Sequence, residues 1–262
     1  MNICVCIKQV PASSNVKINP DTGTLVRDGD NTKINPYDLY ALELALKVKE
    51  QKECNVKAIT MGPPAATAIL EEALYMGCDD GYLITDRKFA GADVVATAYT
   101  ISQGIRKVGD CDLIICGKQT TDGDTAQVGA ELAHFLGIPF VCYVDLVVEV
   151  KDKSIVVRAN YDKMYQTLEI DFPCLITVEK NNDSPRLPSY KRSVEYRNYQ
   201  IEQITFDKLY DKDESKYGLK GSPTQVERMF NPDKDDSKVM LEENNKSFAE
   251  QLKDILKEKK YI

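Results

Sequence analysis

A single histidine, His134, is all that this chain of 262 residues contains. A Ser-His-Asp relay or a multi-histidine metal site therefore has almost no support, and His134, within a helix-like stretch from 126 to 136, reads as a packed or surface residue. No C-x-x-C pair occurs among the eight cysteines at 4, 6, 54, 78, 111, 116, 142 and 174. Most of them sit in apolar stretches, as small buried hydrophobes in a reducing compartment rather than zinc or iron–sulfur ligands. Long apolar runs are missing as well: 112–117 and 140–150 fall well short of the ~20 residues that cross a bilayer. The amino terminus opens as an alternating strand, not a signal peptide, so a soluble, cytoplasmic protein without membrane insertion is expected. Nor is there a cationic excess: 41 Asp plus Glu outnumber 34 Lys plus Arg, which argues against nucleic acid as a partner. If the chain does redox chemistry, the reactive atoms belong to a bound cofactor.

What is present alternates. Residues 2–10 read as a strand running into Pro11. Asn35 caps a helix with Pro36 at its first position, where a missing N–H does no harm, and Tyr37, Tyr40, Ala41, Leu44, Ala45 and Val48 recur at helical spacing. A strand over 55–61 turns through Gly62-Pro63-Pro64 into a helix over 65–76 that Gly77 ends. A strand over 82–85, an Asp93-capped helix to 108, an apolar strand over 112–116, a polar loop over 117–124 and a helix over 125–136 follow. This rhythm predicts an α/β fold: a parallel sheet covered on both faces, with right-handed crossovers. Beyond Pro139, the stretches 140–150, 154–158 and 167–178 read as strands that complete or flank the sheet. From about Asn181 the composition shifts to charge, Pro, Asn and Tyr, with little periodic apolar content before Phe248, Leu252, Ile255 and Leu256. Such a tail is either a solvated segment or an arm that folds against a partner.

In an open parallel sheet, ligands lie outside the carboxyl ends of the strands, which directs attention to the loops at 8–15, 61–66, 85–93 and 117–125. The last leaves a buried strand and enters a helix whose first N–H groups and positive dipole end suit a phosphate. Its Gly117, Lys118, Gln119, Asp122, Asp124, Thr125, Ala126, Gln127 and Val128 are candidate ligand contacts. Asp122 and Asp124 would repel a phosphate if they pointed inward, so they should cap backbone or hold polar ligand atoms. No G-x-x-x-x-G-K-[ST] is present, and a P-loop is not supported.

Five segments in order carry a more specific likeness: Lys8-Gln9-Val10-Pro11, Asn35-Pro36-Tyr37-Asp38, Met61-Gly62-Pro63, Ala73-Leu74-Tyr75-Met76-Gly77, and G-K-Q-x-x-D-x-D-x-x-Q-x-G at 117–129. Together they resemble the beta subunit of electron-transfer flavoproteins, from the first strand to about residue 192 and less securely through Gly221-Ser222-Pro223-Thr224. The resemblance implies a Rossmann-like sheet of the adenine nucleotide alpha-hydrolase kind, used to bind and not to hydrolyse. It implies a nucleotide-binding domain over 1–185, and a recognition loop and carboxyl-terminal arm over 186–262 that dock on an alpha subunit. Cys6, Asn35, Pro36, Tyr37, Asp38 and Met61 would line the adenosine side, and Asp124 to Val128 would receive the phosphate. Core packing is the plain alternative for Cys6 and Met61. Asp93 and Thr97 match positions that approach a second flavin in bifurcating members, although Asp93 taken alone is a helix cap. Gly91-Ala92-Asp93 and Gly221 to Thr224 look more like the bifurcating set, which holds FAD and takes hydride from NADH, than like members that hold AMP. The implied partners are the alpha subunit with its own FAD, an acyl-CoA dehydrogenase or reductase, and ferredoxin or flavodoxin. Leu187 matches the family's docking leucine. The glycines that many relatives carry near 162–165 are absent, which leaves that hairpin's geometry open. Rivals of another class are an adenine-nucleotide sensor and a hydrolase on the same fold.

Overall fold

Ile3, Cys4 and Val5 are all fully buried, so strand β1 (Asn2–Cys6) is covered on both faces, as a central strand of a parallel sheet must be. The computed structural model describes residues 1–12, 17–18, 25–26, 32–180, 184–226, 238, 240, 241 and 247–262, and the remainder of the 8–15 loop lies outside them. β1 stops at Cys6 rather than running to Val10. β2 (Gln9–Pro11) is a separate strand that leaves the sheet to pair antiparallel with β5 (Thr32–Ile34), while the backbones of β3 (Lys17–Ile18) and β4 (Leu25–Val26) pair with each other. Then come α1 (Pro36–Gln51), β6 (Asn55–Met61), α2 (Thr67–Met76), β7 (Asp80–Ile84), α3 (Val94–Val108), β8 (Leu113–Gly117) and α4 (Val128–Leu136). The chain continues with β9 (Phe140–Val150), β10 (Ser154–Tyr161), β11 (Met164–Asp171), β12 (Cys174–Val178), α5 (Tyr190–Glu195), β13 (Glu202–Ile204) and α6 (Phe248–Glu258).

The main sheet has nine strands in the order β11-β10-β9-β12-β8-β1-β6-β7-β13. From β1 the chain builds outward through β6 and β7, then returns to place β8 on the other side. The switch point is therefore the β1/β8 boundary, where Cys6 and Cys116 are register partners. The expected α/β class and parallel sheet hold. The expected strand over 167–178 is two strands: β11 closes an antiparallel ladder on β10 at Asp171, and β12 resumes at Cys174 parallel to β8. The hairpin lacking glycines forms with Asp162 in the left-handed region (φ 55), a conformation Asp tolerates better than most residues.

Residues 184–226 differ most from the sequence reading. Ile204, Phe206, Leu209 and Tyr217 are buried against Phe89 and Ile84, and β13 extends the sheet edge beside β7. The first compact unit accordingly runs Met1–Glu227, past the boundary expected at 185/186, and the second is Arg228–Ile262. The signal in 201–217 is weak because its apolar residues follow neither helical nor strand spacing. No helix among the described residues is long and apolar enough to cross a membrane.

Candidate functional site

The loop after β8 is held from below by the start of α1. Asn35 is fully buried, yet its side chain makes no capping bond to its own helix. Its Nδ2 donates to the Gln119 carbonyl at 2.8 Å, and its Oδ1 accepts from the Thr121 N–H at 3.2 Å. The expected helix cap is thus an inter-loop strut. Asp38, one turn into α1, is also buried and accepts the Lys8 N–H at 2.8 Å. Gly117 passes so close that a Cβ there would lie 2.2 Å from Asp38 Oδ1, which explains the glycine at the point where β8 leaves the sheet. Burial pushes the Asp38 carboxyl up to about 7 against the opposing pull of Asn35 and of the Lys8 and Gly117 N–H groups. Asp38 therefore supports the loop from beneath. Pro36 and Tyr37 beside it are only partly buried.

Lys8 Nζ meets Asp122 Oδ1 at 2.6 Å, with the aspartate side chain only 9% exposed. The carboxylate that would have repelled a phosphate is thus neutralised. Lys118 turns to the flank, where it pairs with Glu179 at 2.9 Å and lies over the Tyr143 ring. Gln119 enters through its backbone, as an acceptor for Asn35. Beyond Asp122 the loop opens to solvent: Asp124, Thr125, Ala126 and Gln127 are exposed, and Asp124 (φ 51) and Ala126 (φ 55) are left-handed.

α4 begins at Val128, not at Thr125, because Ala126 is out of helical conformation and Gln127 offers no side-chain cap. Its first N–H groups lack a capping side chain, as an anion site requires. Gly129 lets α4 sit hard on the sheet, since a Cβ there would come 2.5 Å from Thr177 Cγ2. In the same first turn Glu131 has a buried Oε2 with no hydrogen-bond partner among the described residues. Burial, and then the charge of Asp93, push its carboxyl up. A buried oxygen left unpaired is costly unless a ligand or solvent atom meets it. Cys6 and Met61, at the carboxyl ends of β1 and β6, are half-buried and pack on the core. Hydrogen bonding to the Cys116 and Cys4 thiols, with burial, pushes the Cys6 thiol well up, so Cys6 presents a neutral contact rather than a nucleophile.

Asp93 caps α3 through Ala96 N–H at 3.0 Å. Its other oxygen accepts the Thr224 N–H at 2.9 Å and the Thr224 hydroxyl at 2.8 Å, and its own N–H donates to Ser222 Oγ at 2.8 Å. Burial pulls the Asp93 carboxyl up, but these donors outweigh it and leave it below the ordinary range. Thr97 lies one turn further on, its N–H bonded to the Asp93 carbonyl at 2.9 Å. The Gly91 and Gly221–Thr224 segments, distant in sequence, are therefore one structure. Two cavities elsewhere, about 510 Å³ around Met1, Lys52 and Asp112 and about 320 Å³ between α1 and β9, touch none of these loops. Among the described residues the candidate site is an open shelf.

Comparison with known proteins decides the lineage. An electron transfer flavoprotein domain model matches residues 22–204, most of the chain. The chain belongs to the electron transfer flavoprotein family. It is 41% identical over 262 residues to an electron transfer flavoprotein subunit beta of Clostridium acetobutylicum, covering 100% of both chains. It is 40% identical over 240 residues to caffeyl-CoA reductase-Etf complex subunit CarD of Acetobacterium woodii, covering 88% of each. With acryloyl-CoA reductase electron transfer subunit gamma of Anaerotignum propionicum it shares 41% over 269 residues, and both chains are covered in full.

In this electron transfer flavoprotein beta-type chain, sequence reasoning did not assign Lys8, Thr121, Ser222, Thr224 or Glu131 to the site. Lys8 and Ser222-Pro223-Thr224 stood inside the segments that carried the family likeness. Thr121 acts through its backbone, and Glu131 looks like an ordinary helix residue, so neither carries a signal in composition or spacing.

Proposed function

We propose that this chain is the beta subunit of a heterodimeric, electron-bifurcating electron transfer flavoprotein, with FAD at the shelf formed by β1, β8, α1, α3 and α4. The observation that carries it is the start of α4, without a side-chain cap, at the sheet's switch point, reached through a loop that Asn35 struts and in which Lys8 neutralises Asp122. The donor set fits such a group. The first N–H groups of α4, without a side-chain cap, suit a diphosphate, Cys6 and Met61 offer small apolar contacts for an adenosine, and the buried Glu131 oxygen, within the electrostatic reach of Asp93, awaits a polar partner. Asn35 to Asp38 and Gly117 to Asp122 hold the backbone in place, while Asp124 to Val128 contact the phosphates. The chemistry FAD supplies when bound is hydride acceptance from NADH and release of electrons one at a time.

The partners in this reading are the alpha subunit with its FAD, an acyl-CoA dehydrogenase or reductase, and ferredoxin or flavodoxin. The names of the caffeyl-CoA and acryloyl-CoA reductase relatives favour it. So does the Asp93–Thr224 junction, which joins the two segments typical of the bifurcating set. Leu187, 86% exposed, is the docking leucine. The test is the visible spectrum of the purified heterodimer, with chromatography of the nucleotides released by heat. Two flavins per heterodimer are expected. One flavin plus AMP would mark the non-bifurcating form, and no flavin would leave a nucleotide sensor or hydrolase.

A further inference from the structure

Between α1 and α5 the chain exposes side chains that a folded protein ordinarily covers. Leu187 is 86% and Tyr190 is 83% exposed, and Pro188 lies open between them. A free loop of this length would sample many conformers, and each would have to be frozen out on docking. This one is fastened on both sides. On the near side Arg186 reaches α1: its Nε and backbone N–H both donate to Glu43 Oε2 at 2.9 Å, and a terminal nitrogen donates to Glu43 Oε1 at 3.0 Å. The guanidinium also meets Glu50 at 2.9 Å. Glu43 is buried, and although burial raises its carboxyl, Arg186 outweighs that and holds it below the ordinary range. On the far side Arg192 donates to the Leu74 carbonyl in the last turn of α2 at 2.7 Å and to the Cys78 carbonyl just past the helix end, and lies over the Tyr196 ring. A cation at a helix carboxyl terminus is favourably placed. Midway, the Ser189 N–H donates to the Tyr75 carbonyl at 2.9 Å.

We propose that the Glu43–Arg186 pair is a positioning clamp that preorganises the Leu187–Tyr190 ridge for insertion into an apolar pocket of the electron-accepting partner. This inference rests on the docking role proposed for Leu187 and goes beyond it. It assigns the affinity of the loop to the ion pair between half-buried Arg186 and buried Glu43 of α1, and it makes Tyr190 a second anchor. The fork geometry matters, because one carboxylate accepts the backbone N–H and two guanidinium N–H groups of the same residue. Lysine keeps the backbone N–H but is a point charge without that two-pronged fork. α1 thereby carries two loads: its amino end holds the candidate nucleotide loop through Asn35, and its middle holds the docking loop through Glu43.

The test uses the heterodimer, with Glu43→Gln and Arg186→Lys as parallel variants so that one misfolded protein does not decide the matter. Amide exchange at Arg186, Ser189 and Arg192 is expected to be slow in the wild type and at least about tenfold faster in both variants, with unchanged flavin content. In steady-state transfer to a purified acyl-CoA dehydrogenase, KM for the dehydrogenase should rise about five- to tenfold while kcat stays level, because only the cost of ordering the loop changes. Tyr190→Ala should raise KM similarly without altering exchange at Arg186. Fast exchange in the wild type, or no acceleration in either variant, overturns the clamp. A raised KM for Leu187→Ala with a normal KM for Arg186→Lys also overturns it while leaving the docking role intact. A normal KM for Leu187→Ala removes the docking role itself, and the clamp's function with it.

Discussion

Asp38 concentrates the physics of the site in one carboxyl. It lies under the loop with Gly117 against it, in surroundings that admit little water, and burial keeps its proton on until about pH 7. The native state therefore binds more protons than the unfolded chain between about pH 4 and pH 7, and this group's contribution to stability declines as pH rises through that window. The size is on the order of 4 kcal/mol at full expression. Thermal melts of wild type and Asp38→Asn at pH 5 and pH 8 should show it: the variant, with one acceptor fewer, starts lower at pH 5 and the gap narrows by pH 8. A gap that is the same at both pH values would place the carboxyl's ionisation elsewhere. Gly117→Ala attacks the same contact sterically. With a methyl 2.2 Å from Asp38 Oδ1, α1 or β8 must shift, and urea unfolding should report a loss of about 1–3 kcal/mol.

Among the elements, the loop from β8 to α4 depends on a residue that belongs to another helix. Asn35→Ala removes both of its bonds to the loop and strands the Thr121 N–H, a loss of about 1–3 kcal/mol felt locally. Faster amide exchange at Thr121 and faster nucleotide release are expected, with the melting of the sheet little changed. Unaltered exchange at Thr121 would show that the loop stands without the strut. The same contacts mark how far the sequence could be read. The main-sheet strands β1, β6, β7 and β8 and the helices α1 to α4 were legible from their apolar runs, helical spacing and glycine or proline stops, and the polar loop at 117–124 from its glycines, whereas the short strands β2 to β5 left no such pattern. Asn35 was recognisable as a special residue at a helix start, but its bonds skip the helix for a loop 84 residues away, a choice only tertiary packing makes. Asp93 was correctly read as a cap, while its second oxygen, spent on Thr224 across 131 residues, left no local trace. The late start of α4 turned on one left-handed alanine, Ala126, which propensity alone would have placed inside the helix.

For the molecule as a whole, the division at 227/228 has a thermodynamic consequence. Among the described residues, both hydrophobic clusters, one behind α1 and α2 and the other behind α3 and α4, are built from residues before 228. That burial drives folding of the α/β body. Within Arg228–Ile262, α6 is a well-begun helix: Ser247 and Glu250 form a reciprocal capping box, with the Ser247 N–H donating to Glu250 Oε2 at 3.0 Å. Yet no residue of α6 is buried, and Phe248 and Leu252 of its apolar stripe are 52% and 50% exposed. An amphipathic helix with an open apolar face gains its stability by covering that face, and the proposed alpha subunit is the surface to do so. Deleting 228–262 should therefore move the melting temperature of the isolated chain by no more than about 4 °C, the equivalent of roughly 1 kcal/mol at this size. The same deletion should weaken co-purification with the alpha subunit at least about tenfold, which size-exclusion chromatography of the co-expressed pair would measure. Loss of the folded body on truncation would put part of its stability in the second unit, and undiminished pairing would mean that the α6 stripe is covered by something other than that subunit.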